Sequence, residues 1–333
     1  TLAAARGARR LQEMLDRGFT TVRDTGGTDW GMKTAVEQGL IPGPRLFIAG
    51  RSIGPTGGHS DGRSRTNPGY ACACCNGQAY LRLVVDGADA VRKAVREQMR
   101  QGCDQIKIMV SGGVASPYDP LESDQFSDDE IMAAVEEAEA FGRYVCAHAY
   151  TARAISRAVS LGVRTIEHGN LIDADAAAVM AEHGAYLVAN LVAYVAMKER
   201  AAEYGMPASM LEKNDMVLEG GYRSLEICRE AGVKVAYGSD LLGALATDQS
   251  REFSIRTEVQ PPIEVIRSAT TVAAEVVRRP GQLGTLASGA WADLIVVDDD
   301  PLKDISLLEG QGAHLAAIMK GGVFHKNRLE AIS

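Results

Sequence analysis

The feature that most constrains this chain is a regular alternation of short apolar runs and longer amphipathic stretches, from Thr20 to about residue 270. The runs have the β-branched, largely apolar character of buried parallel strands. The stretches between them have helical periodicity, and Ser127 with Glu130 forms a capping-box pattern before one of them. We therefore predict a parallel sheet with helices on its outside. The predicted strands are Thr20–Arg23, Arg45–Ala49, Gln105–Val110, Tyr144–Ala149, Thr165–Glu167, Ala185–Ala189 and Lys234–Tyr237.

This pattern predicts an α/β fold, a (β/α)8 TIM-type barrel over residues 1–282. Seven strands are predicted where a closed barrel has eight, so we expect one strand to lie upstream of Thr1. The tail differs, because Gly284–Val297 and Leu315–Val323 read as short strands joined by turns. We expect residues 283–333 to form the C-terminal part of a small β-sandwich domain.

Composition excludes several classes of protein. The formal net charge is -8 and no basic stripe is present, which argues against nucleic-acid binding. No apolar run approaches the roughly 20 residues that span a bilayer. No signal peptide is visible and a cytoplasmic location is favoured, although a chain without an initiator Met leaves export open.

Six cysteines are too few for a disulfide scaffold of this size. Cys103, Cys146 and Cys228 are expected to be small core residues. The loop cluster is expected to be structural, with a reactive or metal-binding role as the alternative; its members are Cys72, Cys74 and Cys75.

Polar side chains fall at the carboxyl ends of predicted strands, where barrels of this type carry their active sites. They are Lys107, His148, His168 and Asp240, and they include two of only six histidines. Each has a structural alternative: a hydrogen-bonded histidine, or an aspartate that caps a helix. A buried, unpaired lysine is harder to explain, because its ammonium is expensive to desolvate. The four together favour one metal site, and imidazole and oxygen donors suit zinc.

This arrangement resembles the amidohydrolase superfamily. The resemblance implies that Lys107 is carboxylated and bridges two divalent metal ions, and that His148 and His168 are metal ligands. It further implies that Asp240 binds metal and handles the proton of the attacking water. Carboxylation would convert a buried cation into an anionic oxygen donor facing the metal charge.

The resemblance covers nearly the whole chain, including Gly18–Asp24 as the second strand and Gly284–Asp298 in the tail. It is closer to a prolidase-like and carboxypeptidase-like subgroup that includes ochratoxin-hydrolysing amidases. The stretches that carry it are Thr56–His59, Gln105–Ser116, Ile166–Asn170 and Gly238–Gly243. One departure is clear: the His-x-His of the family's first strand occurs nowhere in this chain, as expected if that strand lies upstream.

The resemblance implies a metal-activated hydroxide that cleaves the amide bond of an N-acyl amino acid or dipeptide with a free carboxylate. His59 is a candidate contact for a substrate carboxylate or carbonyl, with a surface-loop histidine as the alternative. Tyr194 is a candidate donor to the oxyanion or the carboxylate, with simple packing as the alternative. Arg63 and Arg65 are candidate carboxylate contacts, or solvated loop charges. A small-molecule or dipeptide substrate and a homo-oligomer are expected.

Two other functions compete with this hypothesis. A deaminase of the same superfamily typically uses one metal and lacks the strand-four lysine, so Lys107 argues against it. A catalytically inactive binding protein on the same scaffold is supported only by the missing His-x-His. Metal analysis separates the three.

Overall fold

The computed structural model describes residues 2–66, 81–116, 118–203 and 205–329. Strands and helices alternate through most of this range, as the sequence predicts. The strands of the first 240 residues are β1 (Thr21–Asp24), β2 (Arg45–Ile48), β3 (Ser52–Gly54), β4 (Arg82–Val84), β5 (Ile106–Met109), β6 (Val145–Thr151), β7 (Thr165–Leu171), β8 (Tyr186–Ala189) and β9 (Val235–Tyr237). The helices are α1 (Leu2–Asp16), α2 (Trp30–Glu37), α3 (Ala88–Arg100), α4 (Asp128–Ala140), α5 (Ala152–Ser160), α6 (Ala174–Glu182), α7 (Leu191–Glu199), α8 (Ala208–Glu230), α9 (Glu252–Arg256), α10 (Pro262–Ala269) and α11 (Thr271–Val276).

All strand pairs in this region are parallel. A seven-stranded sheet has the order β4-β3-β5-β6-β7-β8-β9, and β1 pairs separately with β2. Helices connect the successive strands from β4 to β9 and cover the sheet, which is the TIM-type α/β barrel architecture that was predicted. The carboxyl ends of parallel strands lie together, so the residues that follow β5, β6, β7 and β9 share one rim.

Each of the seven predicted strands is present, six of them within two residues of their predicted bounds, whereas β7 extends four residues beyond the predicted Glu167 to Leu171. The short strands β3 and β4 were not predicted, because three residues are too few to show a periodicity. The capping box is confirmed: the Ser127 side chain accepts from Glu130 N–H, and the Glu130 side chain accepts from Ser127 N–H.

The main core lies between the sheet and the outer helices. The strand side chains that face outward are apolar and almost fully buried, among them Ile106, Ile108, Ala147 and Ile166. They pack against apolar faces of α3, α4 and α5. Burying one such side chain contributes about 1.5–3 kcal/mol, so this layer dominates the stability of the barrel.

The tail forms a three-stranded antiparallel sheet from β10 (Leu294–Val297), β11 (Leu315–Lys320) and β12 (Val323–Asn327). Gly321 and Gly322 both have positive φ, as the tight turn between β11 and β12 requires. Leu315 and Ile318 share a buried cluster with Leu15 of α1, so the tail sheet packs on the barrel. The predicted division of the chain at residue 282 stays a prediction.

Cys103, Cys146 and Cys228 are buried and unpaired, as predicted. Cys72, Cys74 and Cys75 lie outside the described residues. No helix in the described ranges combines the length and apolarity that crossing a bilayer requires. The homo-oligomer and the cytoplasmic location stay predictions.

Candidate active site

The four strand-end residues that the sequence singles out meet at one rim of the barrel. Lys107 lies on β5, His148 on β6 and His168 on β7, while Asp240 follows β9. Met109 is in register with His148, and Lys107 with Cys146, so the side chains of Lys107 and His148 are on the same side of the sheet. Asp240 and Lys107 interact electrostatically, which joins the far strand to this group.

His148 and His168 lie against one another inside the barrel. Their ring centroids are 4.6 Å apart with the planes inclined by 70°. Burial lowers the pKa of both well below the ordinary value, and neighbouring positive charges lower it further. Both rings are therefore neutral at physiological pH, the form in which imidazole binds metal.

Each of these rings has one nitrogen in a hydrogen bond. Nε2 of His148 lies 3.0 Å from the carbonyl oxygen of Gly112. Nδ1 of His168 lies 3.0 to 3.2 Å from the side-chain amide of Asn190 and 3.1 Å from the Tyr194 hydroxyl. Such contacts fix a ring's orientation and tautomer and leave its second nitrogen for another partner.

The backbone at His168 turns its side chain into the barrel. Strict alternation would place His168 on the same side as Ile166, which packs against the outer helices. Instead φ of His168 is 77°, and its ring contacts His148 and Tyr150. Asp240 also has positive φ, 45°. Non-glycine residues in this region are uncommon and concentrate at functional sites.

Lys107 is buried next to a carboxylate that is already paired. Burial lowers the pKa of Lys107, and the nearby charges of Glu167 and Asp240 oppose that effect. Glu167, however, accepts from Arg23 at 2.6 Å and from Thr165 at 2.6 Å. No carboxylate in the described part of the chain forms an ion pair with Lys107, and burial makes its amine more easily deprotonated than an exposed one.

Asp240 lies where solvent meets the interior. Its side chain is accessible to solvent, yet protein atoms surround it on most sides, as at the wall of an open cavity. This enclosure raises the pKa of Asp240 to about 6, with Lys107 lowering it and Glu167 raising it. A carboxyl with a pKa near 6 is well matched to accepting and releasing a proton near neutral pH.

His59 is not a surface-loop residue, which corrects that alternative. It is 9% exposed, and its ring stacks on His148 with centroids 4.4 Å apart. Tyr194 is buried at the same rim, where its hydroxyl lies 2.8 Å from that of Tyr150. Burial raises the pKa of both tyrosines, so both keep their hydroxyl proton.

Arg63 is placed differently from the other candidates. Its Nε donates to Asp61 at 2.7 Å, and no contact between described residues joins it to the histidines. A different arginine, Arg82 on β4, donates to the His59 carbonyl at 3.1 Å. Its guanidinium also interacts electrostatically with Asp119 and Asp240. Arg82 was not predicted, because the three-residue strand β4 that carries it is too short to show a periodicity.

The donor set fits a metal site in its chemistry. It offers two neutral imidazoles, an amine with a lowered pKa and a carboxyl group, the groups that bind zinc once the amine is converted to an oxygen donor. Within the described ranges, no three His, Cys, Asp or Glu side chains form a metal-binding cluster by themselves. A site here therefore depends on Lys107 as well as on the histidines.

Comparison with known proteins gives consistent matches along nearly the whole chain. The Amidohydrolase family profile matches residues 1–323. Ochratoxinase from Aspergillus niger is 30% identical over 340 residues, which cover 97% of this chain and 69% of that protein.

Two solved structures agree with these matches. A prolidase complexed with N-methylphosphonate-L-proline is 52% identical with a TM-score of 0.95, over 98% of this chain and 80% of that one. A Xaa-Pro dipeptidase with methionine in its active site is 32% identical with a TM-score of 0.86, over 97% and 79% of the two chains. The chain therefore belongs to the amidohydrolase family, within the subgroup that contains ochratoxinase and the prolidases.

Proposed function

We propose that this protein hydrolyses the amide bond of an N-acyl amino acid or dipeptide with a free carboxylate, and that it requires two divalent metal ions, zinc first among them. One observation carries the proposal. Two neutral histidine rings, 4.6 Å apart, lie at the same rim as a buried lysine and a carboxyl with a pKa of about 6. Members of this superfamily are generally metal-dependent.

Lys107, His148, His168 and Asp240 would hold the metal ions, with the Lys107 amine carboxylated. The bound metals would supply Lewis acidity and lower the pKa of the attacking water. Carboxylation consumes a neutral amine, and the burial that lowers the pKa of Lys107 favours that form.

Asp240 would accept the proton released when water adds to the amide carbon. It would then deliver that proton to the leaving nitrogen as the C–N bond breaks, so that a carboxylic acid and an amine are formed. A pKa of about 6 suits a group that must both take and give a proton in one turnover.

His59 and Tyr194 would contact the substrate. Both are held at the rim beside His148 and His168, within reach of a group bound between them. The Tyr194 hydroxyl would donate to the carbonyl oxygen or to the carboxylate. Arg63 was predicted to bind the carboxylate, but its pairing with Asp61 makes it a weaker candidate than the two rim residues.

Xaa-Pro dipeptides are the first substrates to test. The 52% identical prolidase was crystallised with a phosphonate analogue of an acylated proline, and the 32% identical relative is a Xaa-Pro dipeptidase. Ochratoxin-type amides come next, because ochratoxinase is 30% identical.

The experiment is a hydrolysis assay on these two classes, read as the free amino acid released. We expect release from at least one class, its loss after chelation, and its return on adding zinc. Release of ammonia from an amino-substituted heterocycle, with no amide cleavage, would instead support the deaminase alternative. Tight binding of a dipeptide without any release would support an inactive binding protein.

A further inference from the structure

Contacts to its backbone, to Nδ1 and to one face of its ring hold His59 in place. Its peptide N–H donates to Gln125 at 2.8 Å, and its carbonyl accepts from Arg82 at 3.1 Å. One face of its ring stacks on His148, with an interplanar angle of 10°. Gly113 packs so closely that a Cβ there would lie 2.1 Å from Cε1 of His59. The ring therefore has one position available to it.

Nδ1 of His59 faces two groups that can only accept its hydrogen. It lies 2.9 Å from the hydroxyl oxygen of Ser116 and 3.2 Å from Oδ2 of Asp119. An ionised carboxylate has no hydrogen to donate. The Ser116 hydroxyl donates its own hydrogen to Oδ1 of Asp119, so it presents a lone pair to His59. Both contacts therefore require the hydrogen to be on Nδ1.

The surroundings of Asp119 keep its carboxylate ionised. It is 4% exposed, and its Oδ2 also accepts from the Gly113 N–H at 3.0 Å and from Gln125 at 3.4 Å. Burial by itself would raise the pKa of Asp119, but the hydrogen bonds from His59 and Ser116 outweigh it and hold the pKa below the ordinary value.

We propose that Asp119, together with Ser116, is a positioning residue that fixes His59 as the tautomer protonated on Nδ1. Nε2 is then the one ring nitrogen that can act on a substrate, and no described residue makes a hydrogen bond to it. The assignment of the tautomer follows from geometry alone, whereas the role of Nε2 in catalysis rests on the proposed function. Removing a carboxylate that orients a metal-ligating histidine typically costs about 10- to 100-fold, and we expect a loss of the same order for His59.

The first test needs no substrate. In protein labelled with ¹⁵N in the histidine rings, the His59 resonances are assigned by their loss in His59→Gln. We expect the hydrogen on Nδ1 in the wild type, and a changed or averaged tautomer in Asp119→Asn. A wild-type His59 protonated only on Nε2 would overturn the proposal, whether or not the protein hydrolyses amides.

The second test is a double-mutant cycle on the hydrolysis reaction. Asp119→Asn should lower kcat by roughly 10- to 100-fold and change KM by less than about 3-fold. In a His59→Gln background the same change should have almost no further effect, because Asp119 acts through His59. An undiminished loss in that background would show an independent structural role and contradict the proposal.

A matched control and a second variant keep the cycle interpretable. The control is Asp86, a carboxylate that accepts from the N–H of Thr56, in the loop of His59, at 2.9 Å without contacting His59 itself. The kcat of Asp86→Asn should therefore stay within about 2-fold of the wild-type value. If Asp119→Asn does not fold, Ser116→Ala replaces it. That variant keeps the carboxylate, and we expect Nδ1 protonation to persist with a loss of kcat of only a few fold; protonation on Nε2 would contradict the proposal.

Discussion

The outward and inward faces of strands β5, β6 and β7 differ in chemistry. The outward face carries Ile106, Ile108, Ala147 and Ile166, all fully buried and apolar. The inward face carries lysine, cysteine, histidine, threonine and glutamate on the same strands, with Met109 as an apolar neighbour, all of them buried. The outward face can be replaced by any apolar set of the right volume, whereas each inward residue depends on a particular partner.

This contrast shows where stability and function are placed in the barrel. Alternation along a strand places a residue that packs in the core next to one that belongs to the active site. Substitutions at neighbouring positions should therefore have different effects, one on stability and the other on activity. The predictions below test that separation, in order of decreasing expected effect.

The largest effect is expected at the rim. Asp240→Asn removes the proposed proton acceptor and should lower kcat by roughly 10³-fold, about 4 kcal/mol in the barrier, with a modest change in KM. Steady-state hydrolysis measures it, and the unfolding curve serves as the control for folding. A variant that keeps near-normal rates would remove Asp240 from the proton-transfer role.

The next effect concerns the ion pair in the barrel interior. Glu167 and Arg23 are about 8% exposed and 2.6 Å apart, so Glu167→Gln leaves a buried guanidinium without its counter-charge. We expect a loss of about 3–5 kcal/mol in the free energy of unfolding, measured with urea. Replacing both residues with apolar ones should recover much of this loss. A single-variant loss below about 1 kcal/mol would show that the pair is not a buried unit.

The third prediction compares two adjacent residues on opposite faces. Ile108→Ala opens a cavity against the outer helices and should cost about 2–4 kcal/mol of stability. Lys107→Met removes a buried amine and should leave the stability of the metal-free protein within about 1 kcal/mol, or raise it. Urea unfolding of both variants decides the matter, and equal losses would contradict the separation of the two faces.

The smallest effect is a pH dependence of stability in the metal-free protein. The pKa of Asp240 is about 6 when folded, above its ordinary value of 3.8, so the folded state holds this proton to higher pH. The associated stability is present below about pH 4 and is lost as pH rises through 6. Since solvent reaches the side chain, we expect a difference of about 1 kcal/mol or less. Unfolding of wild type and Asp240→Asn at pH 4 and 7 tests it; parallel pH dependences would contradict it.

The sequence predicts the alternating strands and helices of the barrel. Apolar runs and helical stretches gave the barrel strands, and the rule that active sites lie at the carboxyl ends of barrel strands gave Lys107, His148, His168 and Asp240. Contacts between residues far apart in the chain leave no comparable pattern in the sequence. Arg23 and Glu167 are 144 positions apart, and His59 and Asp119 are 60 apart.

Local backbone geometry could not be predicted from the sequence either. Alternation assigns His168 to the outward face, and only a positive φ brings its ring to His148. The pairing of Arg63 with its neighbour Asp61 likewise has no signal in the sequence, and the carboxylate-binding role of Arg63 stays a prediction. Asp119 follows closely after the Ser111–Ser116 stretch that carries the resemblance, and its proximity to that stretch was the one available clue.

The central claim is that the rim residues hold metal ions, and elemental analysis of the purified wild type and Lys107→Met, side by side, tests it most directly. We predict about two equivalents of a divalent metal per chain in the wild type, zinc first, and clearly less in the variant, with hydrolysis lost in proportion. Full hydrolytic activity in a metal-free wild type, or unchanged metal content in the variant, would contradict the claim.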